Sequence, residues 1–255
     1  MSNRVILSLP SHPLILLFFT FLALLFPFAW IWIPGLMTLA FGPLGLSLEQ
    51  SLLLTSSMFA ASLALSFVNI VVKRVPRSGL VIVPEVDFVY VFGYPFPVYR
   101  LKTLGREVLV AVNLGGAAVP LAVASIVVLL AALSPWSREA LICLVASTVV
   151  TTLTSKAFAR VVPGLGVACP ALVPPASSAL TALSLSLWLS IPQQAPAIAY
   201  AGAVYGTLLG ADIANLPQCL RDPAMSIISI GGAGTFDGIY LGGVGALLLT
   251  FLLLP

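Results

Sequence analysis

The chain has 255 residues, of which 60% are hydrophobic and only 7% charged, and its formal net charge is +3. Soluble domains carry about 25% charged residues, so this composition cannot assemble a water-facing surface, and a separate soluble domain of ordinary size is excluded. The positive balance does not mark a nucleic-acid binder, because the basic residues stand at the ends of apolar runs and form no patch.

About 20 apolar residues cross a hydrocarbon core of about 30 Å. The pattern therefore predicts an all-α polytopic membrane protein, a single integral membrane domain over 1–255 with about seven transmembrane helices. They are expected at 13–42, 47–72, 107–133, 140–160, 171–191, 197–218 and 232–254. The first run is much longer than the apolar core of a cleaved signal peptide, so it is expected to be a retained span, kinked around Pro27 and Pro34. The loops are short except 73–106. Within it, "LVIVPEVDFVYVF" (Leu80 to Phe92) is rich in β-branched and aromatic residues and is followed by Gly93, Pro95 and Pro97. That predicts a β-hairpin, either a cap on the helix ends or an edge that an extended substrate joins by strand addition.

Seven crossings place every Lys and Arg except Arg138 on one side of the membrane. The positive-inside rule makes that side cytoplasmic, with the N-terminus and the long loop inside and the C-terminus outside the cell membrane. Cys143, Cys169 and Cys219 make no disulfide framework, and the lone His12 supports no zinc site. No metal and no cofactor are expected.

A carboxyl group costs roughly 2.5 to 3.5 kcal/mol at a helix centre, so each acid needs an explanation. Glu49, Glu85, Asp87, Glu107, Glu139 and Asp222 fall in loops or at helix ends. Asp212, in "YGTLLGADIANLPQC", lies nine positions before Arg221, about 13 Å along a helix. Asp237 follows "SIISIGGAGTF" at the start of the last apolar run. An inward sixth helix and an outward seventh would bring both carboxyls to one depth. Such a pair shares a proton, so one group can activate water while the other donates to a carbonyl oxygen. The same pair can instead bind Na⁺ or carry protons.

Glycine surrounds both acids: Gly206 and Gly210 on one side, Gly231, Gly232, Gly234 and Gly238 on the other. These permit tight helix packing, or a non-helical re-entrant loop whose amides face a substrate. "VVPGLGVACPALVPP" (Val161 to Pro175) carries four prolines and is expected to stay irregular until about Ala176. Tyr205 is expected to border a cavity two turns above Asp212, with Asn215 and Thr235 as hydrogen-bond partners of the acids. Asn113 and the "STVVTTLTS" run (Ser147 to Ser155) either line an aqueous path or pack.

"NLGGAAVPL", "VPGLGVACPALVPP", "AYAGAVYGTLLGADIANL" and "SIGGAGTFDGIYLGG" resemble the family catalogued as domain of unknown function 1614, multi-span membrane proteins to which no activity is attached. More loosely, the arrangement is similar to the presenilin and signal-peptide-peptidase intramembrane aspartyl proteases. Those carry one catalytic aspartate on an inward helix, a second in Gly-x-Gly-Asp on the next outward helix, and a Pro-Ala-Leu element. Asp212 and Asp237 would match the aspartates, and Pro170, Ala171 and Leu172 the third element. The departures are Ala211 before Asp212, two residues between Gly234 and Asp237, and a Pro-Ala-Leu that precedes both acids.

The reading that follows is an intramembrane aspartyl peptidase-like protein working on a transmembrane peptide. Asp212 and Asp237 are its acid/base pair. Pro170, Ala171, Leu172, Gly210, Gly232, Gly234, Thr235 and Gly238 hold substrate, and Tyr205 and Asn215 support the site. A Na⁺- or H⁺-coupled small-solute transporter using the same aspartates and a non-catalytic membrane scaffold are the alternatives. The partners expected are the lipid bilayer and the peptide, with no nucleic acid.

Overall fold

The structure is a computed structural model that describes residues 4–7, 34–35, 37–77, 81–91, 94–104 and 107–254. The expected first helix, with His12 and Pro27, lies outside the described residues except for its end, where 37–41 are helical.

The helices are α1 (Leu48–Leu65), α2 (Val119–Leu133), α3 (Ser137–Phe158), α4 (Val173–Trp188), α5 (Ala195–Thr207), α6 (Leu216–Arg221) and α7 (Gly238–Leu253). Among the described residues, four continuous helical stretches are long and apolar enough to cross a membrane: Leu48–Leu65, Leu114–Leu133, Ser137–Phe158 and Pro192–Arg221. Gly238–Leu253 is a shorter apolar helix. The chain is a mostly helical membrane protein with a small sheet.

The helices are inside out relative to those of a soluble protein. On α3 the buried stripe includes Ala140, Cys143, Ser147, Thr151 and Ser155, while Ile142, Val145, Val149 and Leu153 are exposed. Outward Val, Ile and Leu with small polar residues inward suit a helix solvated by lipid. α5 is buried along nearly its whole length, against α2, α3, α4 and α7. Its sequence, APAIAYAGAVYGT, explains the position, because alanine and glycine let neighbours approach on every side. A Cβ on Gly202, Gly206 or Gly210 would collide with Ser147, with Thr151 or with the Thr152 carbonyl of α3. The Ser147 to Ser155 run thus serves packing: its inward members are buried against these glycines.

The sheets correct three helix boundaries. The expected helix 47–72 ends at Leu65, and β2 (Val68–Pro76) takes its last residues. The expected helix 107–133 starts only at Leu114, after β5 (Glu107–Asn113). The expected helix 232–254 starts at Gly238, after β8 (Ile227–Ile230) and a turn. β5 and β8 are short runs dominated by Val, Leu and Ile, and β2 begins with one before Lys73 and Arg74; such runs read equally as buried helix or strand. With β1 (Val5–Leu7) they form a sheet in the order β1-β2-β5-β8, antiparallel except for the β5–β8 pair. The expected loop hairpin is present: β3 (Val81–Val91) pairs antiparallel with β4 (Tyr94–Leu104).

Candidate aspartate groove

Asp212 closes a wide π turn, Leu208–Asp212, that interrupts the helical stretch after α5. A 3-10 turn, Ile213–Asn215, follows before α6. Such interruptions leave backbone carbonyls without their helical donors, so side chains must take over. Asn215 Nδ2 donates to the Ala211 carbonyl at 2.7 Å. Lys156 Nζ, from the end of α3, donates to the Ala214 carbonyl at 2.9 Å and to Asn215 Oδ1 at 2.6 Å. Asn215 therefore supports the turn that carries Asp212 and makes no hydrogen bond with its carboxyl. Among the described residues, no hydrogen bond reaches the Asp212 carboxyl.

Asp237 is held from both sides. Its Oδ1 accepts the Ile239 N–H at 3.0 Å, which caps α7, and its Oδ2 accepts the Ala233 N–H at 3.3 Å. The chain reaches it through Gly231 and Gly234, at φ +74° and +63°, a left-handed conformation that glycine adopts without strain. "SIGGAG" is accordingly not helical: Ile227–Ile230 is strand, and a 3-10 turn over Gly234–Phe236 leads to Asp237.

A polar knot fixes this turn. The Thr235 N–H donates to Ser66 Oγ at 3.1 Å, and Ser66 Oγ donates to the Ser62 carbonyl at 2.8 Å. Asn113 Nδ2 donates to the Ser66 carbonyl at 2.7 Å and to Asn69 Oδ1 at 3.1 Å, while Asn113 Oδ1 accepts the Gly116 N–H at 2.8 Å. Asn113 therefore caps the start of the α2 stretch at the end of β5 instead of lying within a span. A Cβ on Gly116 would strike the Gly231 carbonyl. Ser62, Ser66 and Asn69 went unmarked in the sequence, because single hydroxyls and amides in an apolar run look like ordinary helix polarity.

The two acids come together in one groove of about 430 Å³, lined also by Gly166, Val167, Cys219, Ile227–Ile230 and Gly232. Both residues are half-buried. Two strand edges face this groove. β8 is the outermost described strand of its sheet, and β7 (Gly166–Ala168) belongs to a small hairpin with β6 (Arg160–Val162). That hairpin occupies part of the proline-rich segment. α4 then starts at Val173 rather than near Ala176, because prolines at 174 and 175 fall in its first turn, where a missing N–H costs nothing.

The remaining expected site residues stand apart from the groove lining. Pro170, Ala171 and Leu172 form an exposed turn. It directly follows Cys169, whose thiol is pushed up by burial and then by the Asp212 charge. Gly210 packs on α3, Gly234 packs on Ser66, and Gly238 lies near Thr207. Thr235 contributes its N–H to the knot. Tyr205 pairs with Ser125 Oγ at 2.7 Å, between α5 and α2.

A family model described as a protein of unknown function, DUF1614, matches residues 63–249. The chain belongs to the DUF1614 family. The match runs from the end of α1 into α7, so the groove, both aspartates and the polar knot except Ser62 fall within the DUF1614 region. No curated protein and no solved structure matches the chain.

Proposed function

We propose that this DUF1614 protein is an intramembrane aspartyl peptidase that cleaves an extended stretch of a transmembrane peptide. The observation that carries the reading is the shared groove: Asp212 and Asp237 line it together with β8 and β7. A strand edge offers main-chain donors and acceptors at regular spacing, which an extended peptide can join by β-augmentation. Gly232 leaves room beside it.

The hydrogen bonding distributes the roles. Asp237 accepts two backbone N–H groups, a setting that suits an ionised carboxylate, and it removes a proton from water. Asp212 has no fixed donor and gives its proton to the peptide carbonyl oxygen. The hydroxyl from water bonds to the carbonyl carbon as the C=O π bond opens to a gem-diol. Asp237 then passes the proton taken from water to the nitrogen, the C–N bond breaks, and a gem-diol hydroxyl returns a proton to Asp212 as the C=O re-forms. Peptide and water become acid and amine, without a metal or a nucleophilic side chain. The cell membrane is crossed seven times in this reading, with the basic loops and N-terminus cytoplasmic, which the segregation of Lys and Arg supports.

Purified full-length chain incubated with single-span peptides tests the reading. Cleavage by the wild type and none by Asp212→Asn or Asp237→Asn is expected. Cleavage that survives either replacement overturns it.

One observation favours the second reading, an ion-coupled transporter: the helical stretch is interrupted at Leu208–Asn215, beside Asp212. Transporters place broken helices around a midplane cavity. The groove here lies instead at helix ends against a sheet, which suits the peptidase better. Sodium- or proton-driven uptake into liposomes that is lost with Asp212→Asn would favour transport.

A further inference from the structure

We infer that the outer strand β1 and its neighbour β2 form a binding site for the headgroup of an anionic phospholipid. A cleft of about 450 Å³ is lined by Arg4, Val71, Val72, Lys73 and Arg74. Consecutive residues of a regular strand point to opposite faces and would not line one cleft. Here the β2–β5 register shifts between Val71 and Lys73, a bulge that re-aims the local side chains. Arg4 is brought alongside by its carbonyl, which accepts the Val71 N–H at 2.8 Å.

The charge is uncompensated. Arg74 pairs with Glu107 at 3.5 Å, the only ion pair among the described residues, so Arg4 and Lys73 have no carboxylate partner there. The flanks are apolar and open: Val5 is 52%, Leu7 66% and Val72 59% exposed. Water is a poor solvent for an outer strand bearing these side chains, and an acidic soluble partner would use the cations while leaving the valines and leucine bare. The boundary between headgroups and acyl chains satisfies both, with phosphate on Arg4 and Lys73 and hydrocarbon against Val5, Leu7 and Val72. The site is separate from the aspartate groove and does not depend on its chemistry.

The test is native mass spectrometry of full-length protein in neutral detergent, titrated with phosphatidylglycerol or phosphatidylcholine. Phosphatidylglycerol should bind preferentially, and Arg4→Gln and Lys73→Gln should each weaken it about fivefold, as about 1 kcal/mol per cation implies. The paired variant Arg4→Lys with Lys73→Arg should retain binding, and Arg138→Gln should leave it unchanged. Equal binding of both lipids, or wild-type binding by the double Gln variant with its fold intact, overturns the site. So does complete displacement by excess inorganic phosphate, because the lipid's acyl chains would then contribute nothing.

Discussion

The Ser66 hydroxyl accepts the Thr235 N–H at 3.1 Å, which ties the end of α1 to the turn that leads into Asp237. The position of one acid is thus set by a residue far earlier in the chain. Ser66→Ala should cost about 0.5–1.5 kcal/mol, the net value of a typical hydrogen bond. Reversible unfolding in detergent measures this, and peptidase turnover should fall with it because the turn loosens.

Two glycine replacements should differ sharply. A Cβ at Gly116 meets the Gly231 carbonyl and the Gly234 backbone, whereas a Cβ at Gly42 meets nothing within 4 Å. Gly116→Ala should destabilise the protein by about 1–3 kcal/mol, the usual cost of overpacking. Gly42→Ala should be close to neutral. Thermal unfolding of the two variants side by side checks the contrast.

Asp237 has a structural role that can be separated from its chemistry. Its Oδ1 caps α7 through the Ile239 N–H. Alanine removes the cap at a cost of about 0.5–2 kcal/mol, while asparagine caps about as well as aspartate. Asparagine keeps the Ile239 bond but cannot also accept the Ala233 N–H. Asp237→Asn should therefore unfold between wild type and Asp237→Ala yet lose peptide cleavage, and Asp237→Ala should lose both bonds and cleavage. An Asn variant as unstable as the Ala variant would contradict the capping geometry.

Cys169 reports on its acidic neighbour. Burial first, and the Asp212 charge second, raise its thiol pKa, so less of it is thiolate at any given pH. Asp212→Asn removes the second cause, lowers that pKa and should shift maleimide labelling of Cys169 to lower pH. Peptide mass mapping against pH reads the shift, and an unchanged profile would separate the two residues.

Scarcity made the acids legible in the sequence. With eight carboxyls in the chain, Asp212 and Asp237 are the two that fall within expected spans, clear of the end turns, and both line the groove. The hairpin at 81–104 was legible because turn residues interrupt its β-branched run. β2, β5 and β8 were not, since short Val- and Ile-rich segments have no period that separates strand from buried helix. The parallel pairing of Val112 with Ile230 joins segments that α2 to α6 separate in sequence, and no local pattern encodes it. Asn215 and Thr235, expected as hydrogen-bond partners of the acids, instead hold the turns that carry them. Asn215 holds the Ala211 carbonyl, and Thr235 offers its N–H.

The most direct test compares kcat for wild type, Asp212→Asn, Asp237→Asn and the double variant on one cleavable single-span peptide. Groups that act as a unit are not additive, so each single change should lower kcat by about 100- to 10,000-fold, and the double variant should be no worse than the weaker single. A single variant with near wild-type kcat, or losses that multiply in the double variant, would contradict an acid/base pair at Asp212 and Asp237.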